Sequence, residues 1–278
     1  MLSTWKLLAT SLLLGSSLFA SDQNESVEDF LENSFSNNPN IVSLDVNVVE
    51  STPLEALQGW NGLIVNVDAV LKDKPKNRNI NQKMIWFTNG ELITKDIFNL
   101  KTGENLTDLV TPEFKAEYYK KENLIYGDEN STHKIAIFSD PLCPFCKKFV
   151  PEAIEYMKKY PQKYALYYYH FPLDNIHPAA VQLTQAAVAA ELQGHKDVVL
   201  KLYDVKVKPR EKRVDKILKA FNETFGTEIK ESDLSSEAVK AHLEHDAKVA
   251  SNVMVQGTPT MFVDGKIDKT KRKYKDVK

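Results

Sequence analysis

The sequence predicts two folded domains, an N-terminal domain of the α+β class and a C-terminal domain of the α/β class. Apolar and polar residues alternate along parts of residues 21–110, which predicts half-buried strands of an antiparallel sheet. Residues 133–278 start with a short apolar run, which leads into an amphipathic helix and later into a helical stretch at about 177–252. We expect a connecting helix and an exposed loop at 111–132.

The N-terminal domain is predicted from periodicity and turn signals. Leu63, Val65 and Val67 fall on one face of a strand, because side chains alternate between the two faces. Asn89-Gly90 stands between two apolar runs and tolerates positive φ, which predicts a hairpin. The predicted elements are a strand at 41–49, a short helix at 53–57, a strand at 63–70, a polar connection at 72–82 and a hairpin of 84–88 with 91–98.

The C-terminal elements follow in the same way. The connecting helix is placed at 112–121, where acidic residues come first and lysines last, as the helix dipole favours. Asp264-Gly265 joins two short strands. The predicted elements are a loop at 128–132, a strand at 135–138, a helix at 144–160, a strand at 164–171, helices at 178–192, 197–203, 212–221 and 236–251, and a hairpin from 260 onward.

Residues 1–20 have the pattern of a secretory signal peptide. Lys6 precedes an apolar run from Leu7 to Leu18, and the expected cut lies near Ala20. The run is too short to span a bilayer comfortably. Leu18 is bulkier than the small residue usual near a cleavage site, so an uncleaved membrane anchor stays open as an alternative. We therefore expect export to an oxidising compartment, where disulfide chemistry has substrates.

Composition excludes several classes of protein. The chain has 36 basic and 38 acidic residues, a net charge of -2, so nothing in it attracts nucleic acid. With 278 residues and 42% apolar composition it can build its cores without disulfides. It contains no glycine-rich phosphate loop, no Gly-x-Ser-x-Gly and no His-Glu-x-x-His motif.

The only two cysteines, Cys143 and Cys146, lie where the predicted strand at 135–138 gives way to a helix. A disulfide across so small a loop would contribute only roughly 2 kcal/mol, so reactivity explains the pair better than stability. Unpaired N–H groups and the positive end of the helix dipole favour a thiolate at Cys143. Pro144 suits the first helical position, where its missing N–H would have no partner.

Two other interpretations of the cysteine pair stay open, a structural disulfide and half of a zinc site. His242 and His245 could complete a zinc site, but they lie about a hundred residues away, and two residues separate them rather than three to five. Three apart on a predicted helix, these histidines are expected to face solvent.

Two segments resemble the signature segments of bacterial Dsb thiol:disulfide oxidoreductases of the thioredoxin superfamily. The first, 138–147, contains Cys143-Pro144-Phe145-Cys146, and the second, 255–265, contains Thr258-Pro259. The segment at 170–180 is similar to the entry of the inserted helical region in that family. The resemblance implies an α/β thioredoxin fold with an inserted helical region.

This resemblance, which covers residues 133–267, implies roles for four residues. Cys143 is the exposed attacking sulfur and Cys146 the resolving one. Thr258 and Pro259 are implied to form a cis peptide that faces the dithiol and binds substrate; proline tolerates the cis bond and has no N–H. An ordinary turn with a trans Thr258-Pro259 peptide is retained as the alternative.

The N-terminal domain resembles the dimerisation domain of the Dsb isomerases of the C and G type. The alternating strands, the Trp86-Phe87 hairpin and the predicted helix at 112–121 carry the likeness, which implies a homodimer. An unrelated α+β domain stays open. After Lys266 only twelve mostly charged residues remain, where the family usually has a longer helix, so lysines are expected to protect the sheet edge.

Together these features predict a periplasmic protein that forms or isomerises disulfides in exported proteins. The resemblance implies a membrane redox partner that recharges the dithiol, and we expect no cofactor, no metal and no nucleic acid. The sequence does not fix the direction of exchange. A periplasmic chaperone whose dithiol is secondary, and a monomeric disulfide oxidase, stay open as alternatives.

Three further residues carry weaker signals. Asp140 precedes Pro141, which suits a turn former, although its charge could tune the dithiol. Asn24 and Asn130 each follow an acidic residue by two positions in Asn-x-Ser/Thr, a pattern that resembles the extended acceptor of bacterial N-glycosylation. Both are expected in flexible, exposed segments.

Overall fold

The computed structural model describes residues 13–73, 76–160 and 162–277. The chain divides into two compact units, Met1–Thr111 and Pro112–Lys278. The first combines a helix with an antiparallel sheet and the second combines helices with a mixed sheet, which confirms the predicted fold class. Among the described residues, no helix is both long and apolar enough to cross a membrane.

In the first unit, helix α1 (Leu13–Ser36) shares one core with a four-stranded antiparallel sheet of order β1-β2-β3-β4. Val27 and Leu31 of the helix are buried together with Val46, Leu63 and Trp86 of the sheet. This burial stabilises the unit, because hairpins alone are marginal in water. The strands are β1 (Ile41–Pro53), β2 (Asn61–Leu71), β3 (Arg78–Thr88) and β4 (Ile93–Thr94).

The short helix predicted at 53–57 is wrong. Strand β1 continues to Pro53, and the chain then turns, with the N–H of Leu54 donating to the carbonyl of Trp60 at 2.9 Å. Proline is acceptable at this position because β1 is the outermost strand of the sheet. The buried side chain of Leu54 anchors the turn.

The polar connection predicted at 72–82 is too long, because β3 starts at Arg78 and pairs with Leu71 of β2. Polar residues belong to this strand because one of its faces is exposed. The second strand of the Asn89-Gly90 hairpin is shorter than the predicted 91–98, since only Ile93–Thr94 pairs with β3.

The structure bears on the predicted signal peptide and on the predicted exposure of Asn24 and Asn130. The predicted signal peptide at 1–20 lies mostly outside the described residues, and α1 is continuous through Ala20. The expectation that Asn24 lies in a flexible, exposed segment is wrong, because it lies within α1 and its side-chain oxygen is buried. Asn130 is exposed in a turn.

The second unit contains a five-stranded sheet of order β5-β7-β6-β8-β9. Strands β6 and β7 are parallel, and the other neighbours are antiparallel. The two central strands are buried on both faces, as their continuous apolar runs require. The strands are β5 (Leu124–Tyr126), β6 (His133–Ser139), β7 (Tyr164–His170), β8 (Thr260–Val263) and β9 (Lys266–Ile267).

Five helices accompany this sheet, and four of them confirm the helical stretch predicted at about 177–252. The alanines of α3 are buried, which lets neighbouring helices approach closely. The helices are α2 (Pro144–Lys158), α3 (Pro178–Leu192), α4 (Val198–Leu202), α5 (Val214–Phe225) and α6 (Glu237–Asn252).

The connecting helix predicted at 112–121 is wrong. This segment is extended apart from a short 3-10 turn at Ala116–Tyr118, and a second turn leads into β5. Phe114 explains the difference, because its ring is buried against Phe138, Tyr169 and Phe262 while its N–H donates to a loop carbonyl at 2.7 Å. The segment is part of the second unit rather than a free connector.

The residues after β9 do more than present lysines to solvent. The ring of Tyr274 is buried, and its carbonyl accepts a hydrogen bond from the Tyr164 hydroxyl at 2.6 Å. The carbonyl of Val277 accepts from Lys163 Nζ at 2.6 Å. The C-terminal segment therefore packs on the domain through the buried ring of Tyr274. The mostly charged composition of the segment did not predict this contact.

Candidate active site

The cysteine pair lies at the start of α2, immediately after β6. Cys143 occupies the N-cap position with φ -66° and ψ 123°, and Pro144 occupies the first turn, as predicted. Both cysteines are free thiols. The helix therefore directs its unpaired N–H groups and the positive end of its dipole toward Cys143.

Cys143 is more buried than the sequence suggested. Its exposed fraction is 4%, against 0% for Cys146, so the expected order of accessibility holds but the attacking residue is far from open. The loop at Thr258 accounts for this, because the Cys143 thiol donates to the Thr258 carbonyl at 3.6 Å. A partner sulfur must therefore reach Cys143 through the small part of its surface that is exposed.

The Thr258–Pro259 peptide is cis, as the resemblance implied. It precedes β8, which pairs antiparallel with β6, the strand that leads into the dithiol. Thr258 and Pro259 therefore come together with Cys143 and Cys146 although more than a hundred residues separate the two pairs in sequence.

Cys146 lies one turn inside the helix in a buried environment. Burial raises the pKa of the Cys146 thiol to about 11, and the neighbouring Cys143 adds to the rise. The nearby polar groups of the Ser139 and Thr258 side chains and of the Asp140 backbone act in the opposite direction on this pKa. The sulfur thus sits among donors that can stabilise its thiolate when the proton leaves.

Three buried hydroxyls, those of Ser139, Tyr203 and Tyr168, hydrogen-bond to one another in the core that also contains Cys146, and we call them the hydroxyl chain. Ser139 Oγ lies 2.7 Å from the Tyr203 hydroxyl, which lies 2.9 Å from the Tyr168 hydroxyl. Burial raises the pKa of both phenols far above the ordinary tyrosine value. Sequence reasoning missed these residues, because Tyr203 comes from the helical insertion and a tyrosine there signals only core packing.

Asp140 forms the turn before the dithiol, as its position before Pro141 suggested. Its fully buried carboxylate accepts from the N–H of Leu142 at 2.6 Å and of Cys143 at 3.0 Å. Its second oxygen accepts from the N–H of Leu173 at 2.8 Å and lies 3.0 Å from His177 Nδ1. The carboxylate therefore joins the cysteine turn to the start of α3.

The prediction that His242 and His245 face solvent is wrong, because the His242 ring is mostly buried and Nε2 of His245 is buried as well. Nε2 of His242 lies 3.7 Å from the carboxylate of Asp246. Asp246 also accepts from the N–H of His170 at 2.8 Å and from Asn123 Nδ2 at 2.7 Å. Helical spacing showed that the two histidines share a face, but it could not show that α6 turns this face toward β7.

Burial dominates the titration of this second polar cluster. It raises the pKa of Asp246 to about 8 and lowers the pKa of His170 to about 3. No group of three or more histidine, cysteine or acidic side chains within the described ranges could hold a metal ion.

Comparison with known proteins places most of the second unit in one family. A family model described as thioredoxin matches residues 120–278, which is more than half of the chain. No curated protein matches the sequence.

Several solved structures are similar to the same part of the chain. A thioredoxin-like oxidoreductase from Silicibacter pomeroyi is 21% identical, with a TM-score of 0.44, and the match covers 54% of this chain and 84% of that one. BdbD from Bacillus subtilis is 18% identical, with a TM-score of 0.46 and coverage of 56% and 89%. The thiol-disulfide exchange protein alpha-DsbA2 from Wolbachia pipientis is 17% identical, with a TM-score of 0.46 and coverage of 59% and 90%.

Proposed function

Because this chain belongs to the thioredoxin family, we propose that it is a thiol:disulfide oxidoreductase that forms or isomerises disulfides in exported proteins. One observation carries the proposal: two free thiols lie at the start of α2, and the Cys143 sulfur contacts the carbonyl of Thr258 in the cis-proline loop. Helix N–H groups favour a thiolate at this position, and thiolates attack disulfides.

Cys143 is the attacking sulfur and Cys146 the resolving one. In the reducing direction the Cys143 thiolate bonds to one sulfur of a substrate disulfide, and the electron pair of the broken bond leaves on the other sulfur, which takes up a proton. Cys146 then displaces the remaining substrate sulfur. The reverse sequence donates a disulfide to a substrate dithiol.

Substrate binding is assigned to the surface around the thiols. Thr258 and Pro259 offer backbone that an extended chain can approach. The Phe145 ring, between the two cysteines, is 75% exposed and offers apolar contact without sequence preference. Such a surface suits a protein that acts on many partners.

The sequence supports a proposed location and a proposed oligomeric state. The apolar start of the chain supports a periplasmic location, and the likeness of the first unit to the dimerisation domain of Dsb isomerases supports a homodimer. A membrane redox partner would keep the pair in its working redox state, after each turnover for an oxidase and only after accidental oxidation for an isomerase. Isomerase activity would need a largely reduced pair and oxidase activity a largely oxidised pair.

A second candidate, a chaperone whose dithiol is secondary, has its own support. Among the side chains that the structure describes, seven of the eleven exposed large apolar ones belong to the first unit, including Leu100 at 98% exposure. If these side chains act together as an apolar patch, they can bind unfolded chains. Suppression of aggregation by a Cys143→Ser, Cys146→Ser double variant at the wild-type level would favour this candidate.

The test of exchange is a trapping experiment with each cysteine changed singly. Cys146→Ser removes the resolving sulfur, so substrate proteins should stay attached to Cys143 as mixed disulfides that reducing agent releases. Cys143→Ser is the matched control and should attach none. Equal trapping by both variants, or trapping by neither, would refute the proposed roles.

A further inference from the structure

Some asparagines of the chain stand in Asn-x-Ser/Thr, the minimal acceptor sequence for an N-linked oligosaccharide. They are Asn24, Asn105, Asn130 and Asn222. Only Asn24 and Asn130 also have an aspartate two positions earlier, as the extended bacterial acceptor requires. The sequence therefore leaves two candidates, and the structure separates them.

Asn24 is not available in the folded chain. It lies within α1, where helical hydrogen bonds fix the backbone, and its side-chain oxygen is buried. With its oxygen buried, the amide cannot turn freely to present its nitrogen to a transferase. The acid before Asn24 does not compensate for this burial.

The amides of Asn105 and Asn222 are already engaged. Asn105 Nδ2 donates to Asp96 at 2.7 Å, and its side-chain oxygen accepts from the N–H of Thr107 at 3.0 Å. Asn222 Nδ2 donates to the carbonyl of Ile229 at 2.9 Å, and its oxygen accepts from the N–H of the same residue at 2.9 Å. A sugar on either nitrogen would disrupt these hydrogen bonds.

Asn130 differs from the other three, because its side chain is exposed in the turn between β5 and β6. In the part of the chain that the structure describes, no hydrogen bond involves its amide group. Its backbone N–H donates to the Asp128 carboxylate at 2.8 Å, which leaves the side chain outside the turn. Asp128 and Thr132, the acid and hydroxyl positions of the acceptor, are exposed as well.

The turn that carries Asn130 lies at the opposite end of β6 from the dithiol. This strand runs over seven residues from His133 to Ser139, which is about 20 Å of extended chain, and Cys143 follows its far end. Thr260, which follows the cis-proline loop, pairs with β6 near that same far end. A sugar chain on Asn130 therefore starts well away from the cysteines.

We propose that Asn130 is an N-glycosylation site, with Asp128 as the recognised acid and an oligosaccharide carried on a lipid pyrophosphate as the donor. Nδ2 of Asn130 bonds to the anomeric carbon of the first sugar, while the bond from that carbon to the pyrophosphate oxygen breaks. The electron pair leaves with the lipid pyrophosphate, and the amide nitrogen gives up one of its two protons. An oligosaccharyltransferase of the host membrane catalyses the step. The inference needs export of the chain but not its exchange activity.

The test is the intact mass of the full protein purified from the organism that encodes it. Wild type should exceed the mass of the bare mature chain by one oligosaccharide, and Asn130→Gln should lose the whole of that added mass. The matched control is Asn24→Gln, which changes the other asparagine preceded by an acid and should keep the added mass. Wild type at the bare mass, added mass retained in Asn130→Gln or added mass lost in Asn24→Gln would each overturn the inference.

The role of Asp128 is tested separately. Asp128→Asn keeps an oxygen that can accept the Asn130 N–H but removes the charge, so it should lose the added mass, whereas Asp128→Glu should retain it. Added mass retained in Asp128→Asn would overturn the assignment of this acid. None of these results depends on thiol chemistry, so failure of the glycosylation site leaves the proposed exchange function standing.

Discussion

At the residue scale, the Asp140 carboxylate holds the turn that positions Cys143. Three N–H groups and a histidine nitrogen surround its two oxygens, and none of its surface is exposed. A buried carboxylate is tolerated because every lone-pair direction is used. Removing it leaves several buried donors without an acceptor at once.

We therefore expect Asp140→Ala to lower the free energy of unfolding by about 3 kcal/mol. The control is Asp128→Ala, since Asp128 accepts one N–H hydrogen bond in an exposed turn and its loss should cost no more than about 0.5 kcal/mol. Urea denaturation of the reduced proteins measures both values. A loss below about 1 kcal/mol for Asp140→Ala would mean that the carboxylate does not hold the turn.

At the element scale, Asp246 ties α6 to β7. Its carboxylate accepts the backbone N–H of His170 in β7 and the side chain of Asn123. Because burial raises its pKa to about 8, the folded protein favours the neutral acid, whereas the unfolded chain ionises near the ordinary value. This contribution to stability is full below the unfolded pKa of about 3.9 and is lost as the pH rises through about 8.

The difference in unfolding free energy between wild type and Asp246→Asn isolates that contribution. We expect wild type to lose stability relative to the variant as the pH rises from about 4 to about 8, with little further change above. His170, whose pKa is lowered to about 3, has the opposite pH dependence but is present in both proteins. A difference that is constant with pH would show that Asp246 is ionised in the folded state.

Sequence reasoning predicted the elements whose signals are local. The alanine-rich helix 178–192 and the proline at the start of α2 are confirmed, because periodicity and capping are read within one turn. The helix predicted at 112–121 is wrong because burial of the Phe114 ring, a tertiary contact, outweighs helix propensity. For the same reason the motif pointed to the two cysteines, while the buried hydrogen bonds of Tyr203 to Ser139 and Tyr168 could be seen only in the fold.

At the scale of the whole molecule, the outermost strand of the first unit is unusual. Strand β1 is thirteen residues long, lies at the edge of its sheet and exposes Val42 and Val49 by about half. Long apolar edge strands tend to pair with another chain. Part of the edge is already covered, because Glu32 and Glu28 of α1 accept hydrogen bonds from the N–H groups of Val46 and Val48. The proposed homodimer would use the exposed apolar side chains Val42 and Val49 of this strand.

We expect the wild-type protein to sediment as a dimer at micromolar concentration. Val49→Lys should raise the dissociation constant at least about tenfold, because a charge would be buried beside an apolar strand. Leu192→Lys, at a similarly exposed position at the end of α3, should leave it unchanged. Sedimentation equilibrium over a range of concentrations measures both, and a monomeric wild type would refute the dimer.

Equilibration of the wild-type protein with glutathione buffers of varied potential, followed by alkylation and mass measurement, tests the exchange activity most directly. We expect a reversible two-electron transition between the dithiol and a Cys143–Cys146 disulfide at a potential above about -300 mV, which Cys143→Ser abolishes. A pair that stays oxidised at every accessible potential, as a structural disulfide does, or a pair that never oxidises, would contradict it.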